Sequence, residues 1–226
     1  SVMMITLSGC QASVKTGGFT SYDEHYQKNE TTLKEDALSD RWESRGSKVA
    51  VVSKEKADNN DYPEAKEVLL VNNTKNKVIV SQKVFDQAYP ASTTKIMTAL
   101  VALENADLSD VVTVSQNADM NSFAADEATC GIKAGDKITL SDLLYGLLLH
   151  SGNDNATAIA EYVGGSMDGF AEMMNKEAAK LMATGTHFVN SNGLHNDNHY
   201  TTAYDLYLIF NECIKHDDFV KIIMEK

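Results

Sequence analysis

The sequence predicts an α+β fold: an antiparallel sheet packed with helices and joined to a helical region. Two observations carry this. Two β-branched runs, Glu67-Val68-Leu69-Leu70-Val71 and Lys77-Val78-Ile79-Val80-Ser81-Gln82, flank the turn-rich Asn73-Thr74-Lys75-Asn76, which is a hairpin signal. From Ser92 onward, apolar residues recur at helical spacing. Apolar residues make up 43% of 226, and only two prolines and 13 glycines interrupt the chain. That composition affords a packed core and excludes a low-complexity protein.

Taken in order, residues 3–10 read Met-Met-Ile-Thr-Leu-Ser-Gly-Cys. The apolar run followed by Leu7-Ser8-Gly9-Cys10 resembles a signal-peptide remnant ending in a bacterial lipobox, in which the cysteine is lipidated. It is too short to span a bilayer as a helix. Residues 11–47 are polar and charged and read as a tether, with one weak helix around Leu33, Leu38 and Trp42. The composition changes at Lys48, and residues 48–226 form the globular part, which opens on a short strand at Val49-Ala50-Val51-Val52. Behind Pro90, Ile96, Met97, Leu100 and Leu103 mark a helix. Further helices are predicted over 141–149 with Ser141 as cap, over 154–163, over 168–183 with Gly185 as the stop, and over 201–215 with Thr202 and Asp205 at capping-box spacing.

The formal net charge of −12 argues against nucleic acid as a partner, because phosphate binding needs clustered Lys and Arg. The three cysteines, Cys10, Cys130 and Cys213, form no CxxC, so zinc-ribbon and thioredoxin-like chemistry gain no support. Cys130 reads as a partly buried free thiol and Cys213 as core. His195 and His199 stand four apart, but among Asn, Asp and Gly, without an H-E-x-x-H. They read as loop residues rather than a metal pair.

The chemistry is concentrated in two short stretches. In Tyr89-Pro90-Ala91-Ser92-Thr93-Thr94-Lys95, Ser92 and Lys95 fall one turn apart on one helix face. The helix N-terminus favours negative charge on an attacking oxygen, and a Lys amine of lowered pKa can accept the serine proton. In His150-Ser151-Gly152-Asn153, Ser151 can relay a proton to a leaving group, and Asn153 can bind a substrate backbone amide. Either stretch alone reads more simply as surface helix or as turn and cap. Together, S-x-x-K and a downstream S-x-N form the pattern of penicillin-binding proteins and serine β-lactamases.

With these blocks in place the chain resembles the serine-type D-alanyl-D-alanine carboxypeptidases, the low-molecular-weight penicillin-binding proteins. The likeness extends through Ile96-Met97-Thr98-Ala99-Leu100, Leu143-Leu144-Tyr145-Gly146-Leu147-Leu148-Leu149, Asn192-Gly193-Leu194 and His199-Tyr200-Thr201-Thr202-Ala203, and covers about residues 66–223. The resemblance implies the penicillin-binding protein and serine β-lactamase-like fold. It implies Ser92 as nucleophile, Lys95 as proton acceptor, and Ser151 with Asn153 completing proton transfer and substrate positioning. The implied substrate is the D-alanyl-D-alanine end of a peptidoglycan stem peptide, and the resemblance implies that no metal or organic cofactor is required. β-Lactam antibiotics would acylate the same serine, and the enzyme would sit outside the cytoplasmic membrane, anchored through Cys10. The family's third motif, a Lys-Thr-Gly strand, is expected beyond residue 226 with the remaining strands of the sheet, so the chain reads as incomplete at its C-terminal end. Lys15-Thr16-Gly17 matches the tripeptide, but no strand pattern follows it.

Two rival readings remain. A serine β-lactamase of this fold needs rapid deacylation, often through a Glu-bound water, and His187 to His195 holds no Glu. A non-catalytic, lipid-anchored binding module would keep the fold without turnover, which the retained Ser92, Lys95, Ser151 and Asn153 argue against.

Overall fold

The computed structural model describes residues 49–52 and 65–225. The lipobox at Cys10, the tether over 11–47 and Lys15-Thr16-Gly17 lie outside the described residues.

The predicted hairpin forms. Strands β1 (Val68–Asn72) and β2 (Lys77–Gln82) pair antiparallel, with Val68 opposite Gln82 and Asn72 opposite Lys77. The Asn72 side chain accepts from the Lys75 amide at 3.0 Å, and Asn76 adopts φ 46°. Asn tolerates that left-handed position because its short polar side chain can bond locally. The strand predicted at Val49–Val52 does not form. Ala50 N–H donates to the Tyr207 hydroxyl at 2.8 Å, and the Tyr204 hydroxyl donates to the Ala50 carbonyl at 3.2 Å. Side chains from a later helix thus satisfy backbone groups that a sheet ladder would have taken. A second two-stranded sheet, β3 (Val111–Thr113) with β4 (Lys137–Thr139), was not foreseen, because three-residue strands carry little alternation.

Helix α1 (Thr94–Asn105) is central. It buries Thr94, Lys95 and Met97 through Ala102, and packs against α2 (Leu140–Leu149), α3 (Asn153–Gly164), α4 (Met167–Lys180) and α5 (Ala203–Cys213). Leu100, Leu143, Leu144, Leu147, Ile159, Phe170, Met174, Ile209 and Phe219 fill the core around it. Phe219 comes from a final helix α6 (Asp217–Ile223). Burial of such side chains stabilises by about 1.5–3 kcal/mol each.

The caps refine the predicted boundaries. Thr139, not Ser141, caps α2, accepting from the Asp142 amide at 3.1 Å. Helix α4 stops at Lys180, short of Gly185. Met182 takes φ 61°, its N–H reaching the Ala179 carbonyl while Ala183 N–H reaches Ala178, the paired bonds of a Schellman stop. At α5, Thr202 caps the Asp205 amide at 3.0 Å as its spacing suggests. The Asp205 carboxylate does not complete a capping box. It accepts instead from Gly185 N–H at 2.8 Å and the Thr186 hydroxyl at 2.7 Å, and so ties α5 to the segment after α4.

Candidate active site

Ser92 is exposed in a 3-10 turn, Ala91–Thr93, that runs directly into α1. The approach to it is pinned from several sides. Ala88 exchanges two backbone bonds with Thr201, at 2.8 and 2.9 Å. The Thr93 hydroxyl donates to the Pro90 carbonyl at 2.6 Å. Ala91 adopts φ 47°, in the left-handed region that an L residue occupies only under constraint. Gly193 supplies that constraint. It has φ 91°, and a Cβ there would lie 1.8 Å from the Ala91 carbonyl oxygen, so only a glycine lets the 190–194 turn sit against the backbone that carries Ser92.

Below the turn, the buried Thr94 hydroxyl lies 2.7 Å from His199 Nε2. The Val189 amide donates to His199 Nδ1 at 3.0 Å. That bond fixes the tautomer: Nε2 carries the proton and Thr94 accepts it. Both ring nitrogens are therefore engaged. His195 lies exposed, edge-on to Tyr89 at 4.6 Å, so the two histidines do not converge as a metal pair. Burial, with His187 adding repulsion, pulls the His199 pKa from 6.5 down to about 4. The unfolded chain therefore binds a proton that the folded chain refuses between these values, and stability falls as pH drops below 6.5. At pH 5 the expected loss is roughly 2 kcal/mol relative to pH 7. Urea unfolding at the two pH values should show it in the parent and not in His199→Gln.

The Lys95 amine sits at the centre of the site, 3% exposed. Its Nζ lies 2.8 Å from Asn153 Oδ1, 2.8 Å from the Asn192 carbonyl and 3.3 Å from Ser92 Oγ. Burial lowers its pKa from 10.5 to about 8, with Glu127 pulling the opposite way. A neutral amine has two N–H bonds and one lone pair. The two carbonyl oxygens accept both N–H bonds, which leaves the lone pair for Ser92.

Asn153 opens α3 and is held by a loop that precedes it. Its backbone N–H donates to Ala128 O at 2.8 Å, and its Nδ2 donates to Glu127 Oε2 at 2.9 Å. The next residue, Asp154, is wholly buried. Its carboxylate accepts from the amides of Cys130 (2.8 Å), Gly131 (2.9 Å) and Ile132 (3.3 Å). One helix start thus anchors residues 127–132. Ser151 is half-buried at φ 58°. None of the three Lys95 bonds goes to it, so the structure joins Ser92, Lys95 and Asn153 directly and places Ser151 two residues from Asn153. The thiols of Cys130 and Cys213 are both free. Cys213 is buried and Cys130 is exposed.

Glu127, the Asn192 carbonyl, Gly193 and the Thr94–His199 pair are components that motif spacing did not assign. Asn192-Gly193 stood in a block of resemblance but without a role. Glu127 lies 26 residues before Asn153 in a turn-rich stretch, where no periodicity marks it. Among the described residues, no group of three or more His, Cys, Asp or Glu could hold a metal ion, and no helix is long and apolar enough to cross a membrane.

Residues 53–226 match the sequence profile of the peptidase family described as D-alanyl-D-alanine carboxypeptidase. The D-alanyl-D-alanine carboxypeptidase DacF of Bacillus subtilis is 33% identical over 163 residues, 70% of this chain and 41% of that protein. Penicillin binding protein 6B of Escherichia coli superposes with a TM-score of 0.66 at 31% identity, covering 74% of this chain and 56% of that one. A mutant of the Streptomyces K15 DD-transpeptidase gives a TM-score of 0.68 at 30% identity, covering 72% and 66%. The shared fold is therefore the penicillin-binding protein fold, and the chain spans about two fifths of the length of the curated relatives it matches.

Proposed function

The chain belongs to the D-alanyl-D-alanine carboxypeptidase family, and from that premise we propose that Ser92 forms an acyl-enzyme with the terminal D-alanyl-D-alanine of a peptidoglycan stem peptide. Neutral Lys95 takes the Ser92 proton as Oγ attacks the carbonyl between the two D-alanines. A tetrahedral oxyanion forms and collapses, the peptide C–N bond breaks, and the proton passes through Ser151 to the departing D-alanine amine. Asn153 holds both Lys95 and the substrate's backbone amide. Water then hydrolyses the ester and restores Ser92. The enzyme works outside the cytoplasmic membrane, tethered through lipidated Cys10, and β-lactams acylate the same serine.

One observation carries this reading: the Lys95 amine is buried, of lowered pKa, saturated by two carbonyl acceptors and 3.3 Å from an exposed serine hydroxyl. Such an arrangement activates a nucleophile and has no evident structural purpose, since burying a lone ammonium opposes folding. Benzylpenicillin should add its full mass to the intact chain and leave Ser92→Ala unmodified, read by intact-protein mass spectrometry. A folded parent that takes no adduct would overturn the proposal.

A further inference from the structure

We infer that Glu127 is a positioning residue of this site, which orients the Asn153 amide toward Lys95 and sets the pH range over which Lys95 can act as a base. The inference rests on the proposed roles of Ser92 and Lys95 and adds a residue outside the motifs that define them.

The geometry is a relay of three side chains. Glu127 Oε2 accepts from Asn153 Nδ2 at 2.9 Å, and Asn153 Oδ1 accepts from Lys95 Nζ at 2.8 Å. An ionised carboxylate only accepts. The end of Asn153 facing Glu127 must therefore be the NH2, and the end facing Lys95 must be the oxygen. Without the carboxylate the amide could turn over and present N–H to the amine, taking away one of the two acceptors that direct the Lys95 lone pair at Ser92. Glu127 is itself held, its Oε1 accepting from the Ala124 amide at 3.2 Å. The loop behind it is fastened by Asp154 to three consecutive amides and by Ala128 O to the Asn153 amide.

Each element around Lys95 presents an identifiable group. The 3-10 turn presents Ser92, α3 presents Asn153, the 190–194 turn presents the Asn192 carbonyl, and the 124–132 loop presents Glu127. Asp154 turns its carboxylate into the Cys130–Ile132 amides, and His199, against the neighbouring Thr94, is held neutral. Glu127 is thus the charged group whose field reaches the amine. It favours the ammonium and opposes the desolvation that lowers the Lys95 pKa. Removing the charge while keeping an acceptor should make Lys95 neutral at lower pH.

The test uses the full chain with Glu127→Gln and Glu127→Ala. Trace acetylation with acetic anhydride, read by peptide mass spectrometry against the exposed Lys133, gives the titration midpoint of Lys95 directly. In Glu127→Gln that midpoint should fall, and the acidic limb of the benzylpenicillin acylation rate should move to lower pH with it. Above the Lys95 midpoint, where the amine is neutral in every variant, Glu127→Ala should acylate roughly 10-fold or more slowly, with Glu127→Gln restoring most of the rate. An unchanged Lys95 midpoint in Glu127→Gln would overturn the inference. So would a Glu127→Gln variant as slow as Glu127→Ala, or one whose acylation profile stays in place while hydrolysis of the acyl-enzyme slows, since that would make Glu127 the base for water. If the parent takes no adduct at all, the proposed function fails, and the acetylation midpoint still decides the role of Glu127.

Discussion

Gly193→Ala is expected to slow acylation of Ser92 by about 100-fold or more and to lower stability by about 2–4 kcal/mol. The residue stands at φ 91°, where a Cβ is strained whatever the space, and the atom it would meet at 1.8 Å is the Ala91 carbonyl oxygen, with the carbonyl carbon at 2.4 Å. Neither is the end of a flexible side chain. Relief requires either the Ala91 peptide or the 190–194 turn to shift. Ala91 already sits at φ 47° and is bonded to Ser92. The turn carries the Asn192 carbonyl that accepts from Lys95. Either movement separates Ser92 from Lys95, its proposed base, and misplacement by about 1 Å suffices for a hundredfold loss. Gly165→Ala is the control. Its φ is 69°, but nothing lies within 4 Å of the added Cβ, so it should lose about 1 kcal/mol from backbone strain alone and acylate at the parent rate. Benzylpenicillin acylation kinetics and urea unfolding on both variants would check this. Parent-rate acylation by Gly193→Ala would show that the close contact does not hold the nucleophile.

The parts of this fold that were legible in the sequence are those whose signal is local. Val68–Gln82 reads as a hairpin because side-chain alternation and an Asn-rich turn are both short-range, and α1 through α5 read as helices because their buried faces repeat along the chain. The cap at Thr202 is likewise set by a neighbour three residues away. What could not be read depends on partners distant in sequence. Val49–Val52 has strand composition, yet the partners of Ala50 lie more than 150 residues on, at Tyr204 and Tyr207. Met182 ends α4 in a conformation that glycine prefers, so Gly185 drew the prediction too far. The site divides the same way. Ser92 and Lys95 are one turn apart and Asn153 follows a recognisable Ser-Gly, so their types and spacings mark them as candidates from the sequence alone. Glu127 and the Asn192 carbonyl reach Lys95 only through tertiary packing.

Lys95→Met is expected to reduce acylation by roughly 10²–10⁴-fold with little change in stability at pH 7, and the contrast separates a catalytic from a structural lysine. In the folded chain the pKa is about 8 against an ordinary 10.5. The charged form is therefore disfavoured by folding, at a cost on the order of 3 kcal/mol at neutral pH. Methionine removes that cost. It also leaves Asn153 Oδ1 and the Asn192 carbonyl without their donor, a loss of about 1–3 kcal/mol for each buried group. The two effects oppose each other and largely offset. The pH dependence then discriminates further. Because the folded pKa is depressed, the unfolded chain binds more protons between about 8 and 10.5, and Lys95 makes stability rise with pH across that window. Cys213 acts oppositely, since burial raises its thiol pKa and its contribution is lost as pH climbs past the unfolded value. The difference between parent and Lys95→Met cancels the cysteine and isolates the lysine. Urea unfolding at pH 7, 8.5 and 10 should therefore show the parent gaining on the variant as pH rises. A variant that acylates normally would mean that the amine is not the base, and a parent with no such gain would mean that it is not held at a lowered pKa.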